Sequence, residues 1–272
     1  MQAFPRSIKR EILTPTLTQS VFELRWRRRF VGVINVLTYL LIVYAFAKLA
    51  MKGGWTIVDI LMMLCVVVAT PWTVLGFWNS LIGLWLLHSG SDARSAVVPL
   101  ANAGDGPDPI TIRVAILMTL RNEDPHRAFE RLKAVKASVD ATPYGGQFAY
   151  FLLSDSDNLD VAAEELRLYN NWRDREPAGA TLIYRRRHKN TGYKAGNLRD
   201  FCETWGDDYE VMLPLDADSL MDGETIVRMA RIMQFHPRLG ILQSLVVGMP
   251  SQSAFARIFQ FGMRHGMRAY TM

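Results

Sequence analysis

The chain has 272 residues, of which 50% are hydrophobic and 21% charged, so it can bury a sizeable core and is not disordered throughout. Its two cysteines exclude a disulfide-rich scaffold. The net charge of +5 lies in residues 1–29, which carry seven basic and two acidic side chains, whereas the remainder carries 24 of each. Because a general nucleic-acid-binding protein spreads basic residues over its folded part, we expect no nucleic-acid partner.

Two long apolar runs follow this basic tail of residues 1–29. Residues 30–50 hold a single charge, Lys48, and a helix of this length spans roughly 30 Å, the thickness of a hydrocarbon core. Residues 55–87 contain only Asp59 and are long enough for a second span, with a bend expected near Pro71. The short connection between the runs predicts a transmembrane helical hairpin over residues 30–87.

The basic cluster at residues 25–29 predicts the orientation of this hairpin, because basic residues next to a span remain in the cytoplasm. Two spans return the chain to the same side, so residues 88–272 are expected to be cytoplasmic. A cleaved signal peptide ending near Ala47 is the alternative. The second apolar run, which follows at once, favours the hairpin over this alternative. Residues 88–109 are rich in glycine, proline and serine and are interpreted as a linker.

Residues 110–272 are interpreted as one domain in which strands and helices alternate. The predicted strands are 112–118, 147–153, 181–184, 209–215 and 240–245, and the predicted helices are 125–141, 161–172, 198–205 and 223–235. This order predicts an α/β domain with a mostly parallel sheet covered by helices on both faces. In such sheets ligands bind beyond the carboxyl ends of the strands.

Polar residues follow three of these predicted strands. They are Asn122 and Glu123 after the first, Asp155 and Asp157 after the second, and Asp216 and Asp218 after the strand 209–215. The sequence has no glycine-rich phosphate-binding loop, so the phosphates of a bound nucleotide would have to be neutralised in another way.

Asp216 and Asp218 form an Asp-x-Asp pattern at the predicted end of a strand. There the chain turns, so both carboxylates can converge on one point. Carboxylate oxygens suit Mg²⁺ or Mn²⁺, which bind through one or two carboxylates together with substrate phosphates. An exposed turn without a ligand is the alternative, and the apolar strand before the pair favours a site.

A basic segment, Arg185 to Lys189, precedes a glycine-flanked lysine, Lys194. The three arginines 185–187 fit either a solvated face or a ligand-binding role. Lys194 is a candidate phosphate ligand, since its ammonium is a point charge on a flexible stem. Asn197 is a candidate N-cap of the next helix or a functional residue.

In combination these motifs resemble family 2 glycosyltransferases, over about residues 110–270. The matching segments, in the order of the family, are Asn122-Glu123, Asp155, Lys194-Ala195-Gly196-Asn197 and Asp216-Ala217-Asp218. Segments such as Tyr184–Arg187 and Ile241–Ser244 are most similar to the membrane-bound members that make periplasmic glucans. The resemblance implies a GT-A (Rossmann-like) domain at the inner membrane that transfers glucose with inversion from UDP-glucose to a growing β-glucan, with Mg²⁺ or Mn²⁺. A glucan acceptor, the lipid bilayer and other proteins of periplasmic glucan synthesis are the implied partners.

The resemblance also implies a role for each matching residue. Asn122 and Glu123 would line the nucleotide pocket, Asp155 would contact uracil, Lys194 would face the diphosphate, Asp216 would lie near ribose and metal, and Asp218 would ligate the metal.

The sequence departs from the family in one respect: the later motifs that supply the general base and help to bind the acceptor do not occur. The chain is therefore expected to be an inactive N-terminal fragment, truncated within a helix that starts near residue 253. That helix is expected to pack on protein, with a membrane surface as the alternative. Two rival functions are a phosphohydrolase of haloacid-dehalogenase type, with Asp216 as nucleophile and Asp218 as acid, and a non-catalytic membrane-tethered nucleotide-binding module.

Overall fold

A computed structural model describes residues 15–89, 98–177 and 179–270. The chain forms two compact units, one comprising residues 1–99 with 244–272 and the other residues 100–243. The predicted boundaries at residues 29, 87 and 109 stay predictions. Residues 244–272, which the sequence analysis placed with the sheet, group with the apolar helices.

The first unit contains a hairpin of two long helices, α1 (Pro15–Ala50) and α2 (Ile57–His88), joined by a 3₁₀ turn. Thr56 caps α2 by accepting a hydrogen bond from the amide of Asp59 at 3.2 Å. The helices contact each other, and the indole of Trp78 donates to the hydroxyl of Thr38 at 3.0 Å. Both are long and apolar enough to cross a membrane, which suggests membrane association. α2 remains one helix through Pro71.

The second unit is the α/β domain. Its elements are β1 (Val114–Leu120), α3 (Pro125–Asp140), β2 (Phe148–Ser154), α4 (Leu159–Arg173), β3 (Leu182–Arg186), α5 (Tyr193–Trp205), β4 (Val211–Asp216) and α6 (Gly223–Phe235). The strands form one parallel sheet in the order β3-β2-β1-β4. The predicted α/β class is confirmed, with a parallel sheet that follows the two apolar helices in the sequence.

The register of the strands brings their carboxyl ends to one edge of the sheet. Leu120 pairs with Ser154, Ser154 pairs with Arg186, and Thr119 pairs with Asp216. The chain passes from β1 outward to β3 and then returns to place β4 on the other side of β1. The edge between β1 and β4 is therefore a topological switch point, where open α/β sheets bind ligands.

Apolar side chains cover both faces of the sheet. On one face Phe129 and Leu132 of α3 are buried against Ile116 of β1, as the helical spacing predicted. On the other face Phe201 of α5 lies edge-on to Phe151 of β2, with ring centroids 4.9 Å apart. These two layers bury both faces of the sheet and leave its carboxyl edge free to carry loops.

The predicted strand at residues 240–245 is wrong. No helix or strand lies between α6 and the last helix, α7 (Ala254–Tyr270), and Ile241 is 85% exposed. An apolar run becomes a strand only when a neighbouring strand accepts its backbone hydrogen bonds, and β4 is paired to β1 alone among the described strands. α7 itself confirms the helix predicted from residue 253, and it contacts α2.

Candidate functional site

A cleft of about 480 Å³ opens at the carboxyl edge of the sheet, beside the switch point between β1 and β4. Its size lies within the usual range of small-molecule sites, roughly 300–1,000 Å³. The lining residues are Thr119, Leu120, Arg121, Glu123, Asp155, Asn190, Tyr193, Lys194, Asn197, Asp216, Ala217 and Asp218. The structure thus brings five of the six predicted site residues to one cleft and leaves Asn122 outside its lining.

Asp216 and Asp218 lie on the tight turn that ends β4. The amide of Ser219 donates to the carbonyl of Asp216 at 2.9 Å, and the intervening Ala217 is buried. Burial of Ala217 leaves the two carboxylates exposed, and both line the cleft. Both carboxylates of the Asp-x-Asp pattern therefore lie at the same cleft, and their convergence on one ion stays a prediction.

Lys194 lies in the first turn of α5, and its ammonium forms an ion pair with the carboxylate of Asp216. The two side chains are 47% and 63% exposed, so the pair contributes little to stability. The ion pair nevertheless shows that the side chain of Lys194 reaches the acidic turn after β4.

Asp155, the first residue after β2, forms a buried ion pair with Arg187. The side chains are 4% and 7% exposed, and the guanidinium donates from Nε to Oδ1 at 2.6 Å and from Nη2 to Oδ2 at 2.8 Å. The hydrogen bond to Asp155 raises the pKa of Arg187 above its ordinary value. The paired geometry fixes the plane of the Asp155 carboxylate at the edge of the cleft.

The arginines 185–187 do not form a solvated face. Arg185 donates to the side-chain oxygen of Asn197 at 2.6 Å, and Arg186 donates to the carbonyl of Ser156 at 2.9 Å. Burial lowers the pKa of Arg185. Sequence reasoning missed this arrangement, although one signal was available: the run closes a predicted parallel strand, where side chains turn toward the ligand edge.

The N-cap role predicted for Asn197 is wrong, because α5 begins four residues earlier, at Tyr193, with Gly192 as its N-cap. Asn197 is 1% exposed, and its amide donates to the carbonyl of Leu153 at 3.0 Å. Its side chain thus fastens α5 to the end of β2.

Asn122 joins the loops that follow β1 and β2. It has a left-handed backbone (φ 56°), donates to the Asp157 carboxylate at 2.5 Å and accepts from the amide of Asn158 at 3.1 Å. The hydrogen bond from Asn122 lowers the pKa of Asp157. Glu123 accepts a hydrogen bond from the backbone amide of Arg121, and both of these residues line the cleft.

The donor set of the cleft fits a hard divalent cation that keeps oxygen ligands from water or substrate. The two carboxylates after β4 are exposed, and the lining holds two further acidic groups, Glu123 and Asp155, of which Asp155 is paired with Arg187. In the part of the chain that the structure describes, no three His, Cys, Asp or Glu side chains are grouped as a complete metal cage. Mg²⁺ and Mn²⁺ do not need one, since they bind through one or two carboxylates plus phosphate oxygens.

Comparison with known proteins finds the relatives of this chain among glycosyltransferases. Curated proteins named glucans biosynthesis glucosyltransferase H are 36% identical over 238 residues in Bradyrhizobium diazoefficiens, 32% over 247 in Vibrio cholerae serotype O1 and 35% over 193 in Pseudomonas aeruginosa. These alignments cover 88%, 91% and 71% of this chain, and 31%, 33% and 22% of the relatives. The predicted resemblance is confirmed, and the chain spans a third or less of the length of these relatives.

Two further comparisons give no additional support for the assignment to glycosyltransferases. No protein-family model matches the chain. A solved structure, the mannosyltransferase PcManGT from Pyrobaculum calidifontis in complex with GDP-Man and Mn²⁺, is 16% identical with a TM-score of 0.36, covering 57% of this chain and 44% of its own. A likeness of this degree does not define the fold, so the GT-A assignment stays what the family resemblance implies.

Proposed function

We propose that the sheet domain binds UDP-glucose as the donor of an inverting glucosyltransferase that extends a β-glucan. The observation that carries the proposal is the convergence of Asp155, Lys194, Asp216 and Asp218 on one cleft at the switch point of the sheet. The glycosyltransferase homologues favour a transferase over a phosphohydrolase or a non-catalytic module.

The chain's own residues would bind the two ends of the donor separately. The Asp155 carboxylate, fixed by Arg187, would accept a hydrogen bond from the uracil ring. Lys194 would exchange its contact with Asp216 for the diphosphate, to which an ammonium is strongly attracted. Asp216 and Asp218 would then hold a Mg²⁺ or Mn²⁺ ion, which supplies charge stabilisation to the leaving diphosphate.

Transfer with inversion places the attacking hydroxyl of the glucan opposite the departing UDP. Holding both reactants at the strand edge would supply most of the lowering of the barrier, through orientation and charge neutralisation. The bond from the hydroxyl oxygen to the anomeric carbon would form as the bond to UDP breaks, and the proton would pass to a general base other than the six proposed site residues. Other proteins of periplasmic glucan synthesis are the proposed partners of the reaction.

The two apolar helices are proposed to anchor this domain in the inner membrane as a multi-pass protein. The basic residues 25–29 lie in α1 just before its apolar stretch of residues 30–50, so the N-terminus and the sheet domain would face the cytoplasm. This placement would separate the donor site, in the cytoplasm, from the periplasmic glucan product.

Calorimetric titration of the full chain in detergent with UDP-glucose, with and without Mn²⁺, tests the donor proposal. Binding should require the metal, and Asp218→Asn should weaken it by about tenfold or more, since one contact of a charged group is worth about 1.5–3 kcal/mol. Asp207→Asn is the matched control, because Asp207 is also exposed but lies at the amino end of β4 rather than at the cleft. Equal binding by both variants, or no binding by the unmodified chain, would contradict the proposal.

A further inference from the structure

The run of three arginines at the end of β3 contains one residue whose contacts extend well beyond an ion pair. Besides Asp155, the guanidinium of Arg187 donates to the carboxylate of Asp200 on α5 at 3.0 Å. It also donates to two backbone carbonyls, that of Thr191 in the turn before α5 at 3.2 Å and that of Tyr193, the first residue of α5, at 3.0 Å. One planar group therefore joins the end of β2, the turn and the helix.

The turn that Arg187 holds has an unusual backbone. Gly192 has φ 73° and Tyr193 has φ 51°, a left-handed conformation that a bulky side chain disfavours. A Cβ atom at Gly196 would lie 1.9 Å from the carbonyl oxygen of Thr191, so the turn packs directly on the helix backbone. Backbone strain of this kind persists only where surrounding contacts hold it, and the hydrogen bond from Arg187 to the strained Tyr193 is such a contact.

We propose that Arg187 is a positioning residue that couples the two ends of the donor site. On one side it fixes the carboxylate of Asp155, and on the other it fixes the turn before α5 and the start of this helix, where Lys194 lies. The inference rests on the proposed function, in which Asp155 contacts the base and Lys194 the diphosphate. Occupation of the base end stiffens the turn and thereby improves the placement of Lys194 for the phosphates.

The geometry requires an arginine for this role. Its N–H groups lie in one plane and reach a carboxylate on one edge and carbonyl groups on the others. A lysine at position 187 would keep the positive charge and an ion pair with Asp155, but its single nitrogen cannot also hold the turn. Arg187→Lys therefore separates the effect of the positive charge at position 187 from the effect of the hydrogen bonds that hold the turn.

The test compares the binding of UDP, UMP and uridine to the full chain in detergent with Mn²⁺. In the unmodified chain UDP should bind more tightly than UMP, because Lys194 and the metal contact the added phosphate. Arg187→Lys should reduce the UDP-to-UMP affinity ratio by about fivefold or more, the low end of coupling between linked sites. Loss of folded protein alone would weaken all three ligands equally and leave the ratio unchanged.

Arg167→Lys is the matched control. Arg167 is an exposed arginine of α4 that pairs with Glu164 and does not line the cleft. It should leave the ratio unchanged. A ratio that Arg187→Lys leaves intact, or that both variants reduce equally, would overturn the positioning role. Absence of UDP binding by the unmodified chain would instead refute the proposed function.

A second measurement uses the unmodified chain, in case Arg187→Lys does not fold. Uridine has no phosphate, yet saturating uridine should slow hydrogen exchange of the backbone amides in residues 190–196. The same protection should appear at residues 155–157, beside the base. Protection confined to residues 155–157 would show that the turn does not respond to the base and would overturn the inference.

Discussion

A single side chain, that of Asn122, connects two of the loops that frame the cleft. Its side-chain amide nitrogen donates to the Asp157 carboxylate, and its side-chain oxygen accepts from the backbone N–H of Asn158. Asn158 is in turn the N-cap of α4. The left-handed backbone of Asn122 suits asparagine better than most other residues. Although Asn122 does not line the cleft, it sets the path of the chain between Arg121 and Glu123, which do.

Removing this amide should change the titration of Asp157. The pKa of Asp157 is lowered in the folded chain, so its contribution to stability is present above the unfolded value of about 3.9 and is lost as the pH falls through the folded value. Asn122→Ala should raise the pKa of Asp157 toward its ordinary value, as measured by carboxyl-carbon NMR. Asn171→Ala, at an exposed position of α4, should leave it unchanged; equal titration curves for all three proteins would exclude the link.

At the scale of elements, a buried carboxylate fastens α4 to the sheet. Glu165 of α4 is 1% exposed and accepts hydrogen bonds from the hydroxyls of Ser156 at 2.7 Å and Tyr184 at 2.9 Å. Burial raises the pKa of Tyr184, with the charge of Glu165 as the next cause. Ser156 in turn accepts the backbone N–H of Asn122 at 2.9 Å, so the link continues to the loop after β1.

Glu165→Leu should lower the free energy of unfolding by about 1–3 kcal/mol, because it leaves buried hydroxyls without an acceptor. Adding Tyr184→Phe removes one of these hydroxyls, so the double variant should be less destabilised than the sum of the two single variants. Chemical unfolding of the full chain and its three variants in detergent measures this coupling. Strict additivity would show that the two side chains do not act together.

The elements also show what the sequence can predict. The helix at residues 223–235 was predicted with the bounds of α6, and α3 and its buried face were predicted closely, because helical spacing and caps are local signals. The strand at 240–245 was predicted from an apolar run alone, but a strand depends on a partner that is distant in sequence. The role of Arg187 could not be predicted for the same reason. Its partner Asp155 lies 32 residues away, and no residue near Arg187 in the sequence indicates this contact.

For the candidate site, the sequence predicted which residues meet but not how they are held. Asp155, Lys194, Asp216 and Asp218 each follow or precede a predicted strand or helix, so parallel topology alone brings them to one edge. The ion pair of Lys194 with Asp216 and the fixing of Asp155 by Arg187 depend on side-chain conformations. The first contact joins α5 to the end of β4 and the second joins the end of β3 to the end of β2, so each depends on residues that are distant in sequence.

At the scale of the whole molecule, the excess of positive charge, the two apolar runs and the α/β domain follow one another along the chain. The basic excess lies before the apolar run of residues 30–50, with residues 25–29 inside α1, and the α/β domain follows α2. A helix of 32 residues such as α2 is longer than the roughly 20 residues needed to cross a hydrocarbon core, so the hairpin can span the bilayer twice. Both ends of such a hairpin lie on the same side of the membrane.

The two native cysteines test this topology without added labels. Cys202 lies exposed on α5 of the sheet domain, whereas Cys65 lies within α2, where lipid would shield it. In bacterial spheroplasts a membrane-impermeant maleimide should therefore leave the chain unlabelled, because the proposed orientation places the sheet domain in the cytoplasm. In inside-out vesicles it should label Cys202 alone, and Cys202→Ser should abolish the labelling while Cys65→Ser leaves it unchanged. Labelling of Cys202 in intact spheroplasts would place the domain on the periplasmic side and reverse the proposed orientation.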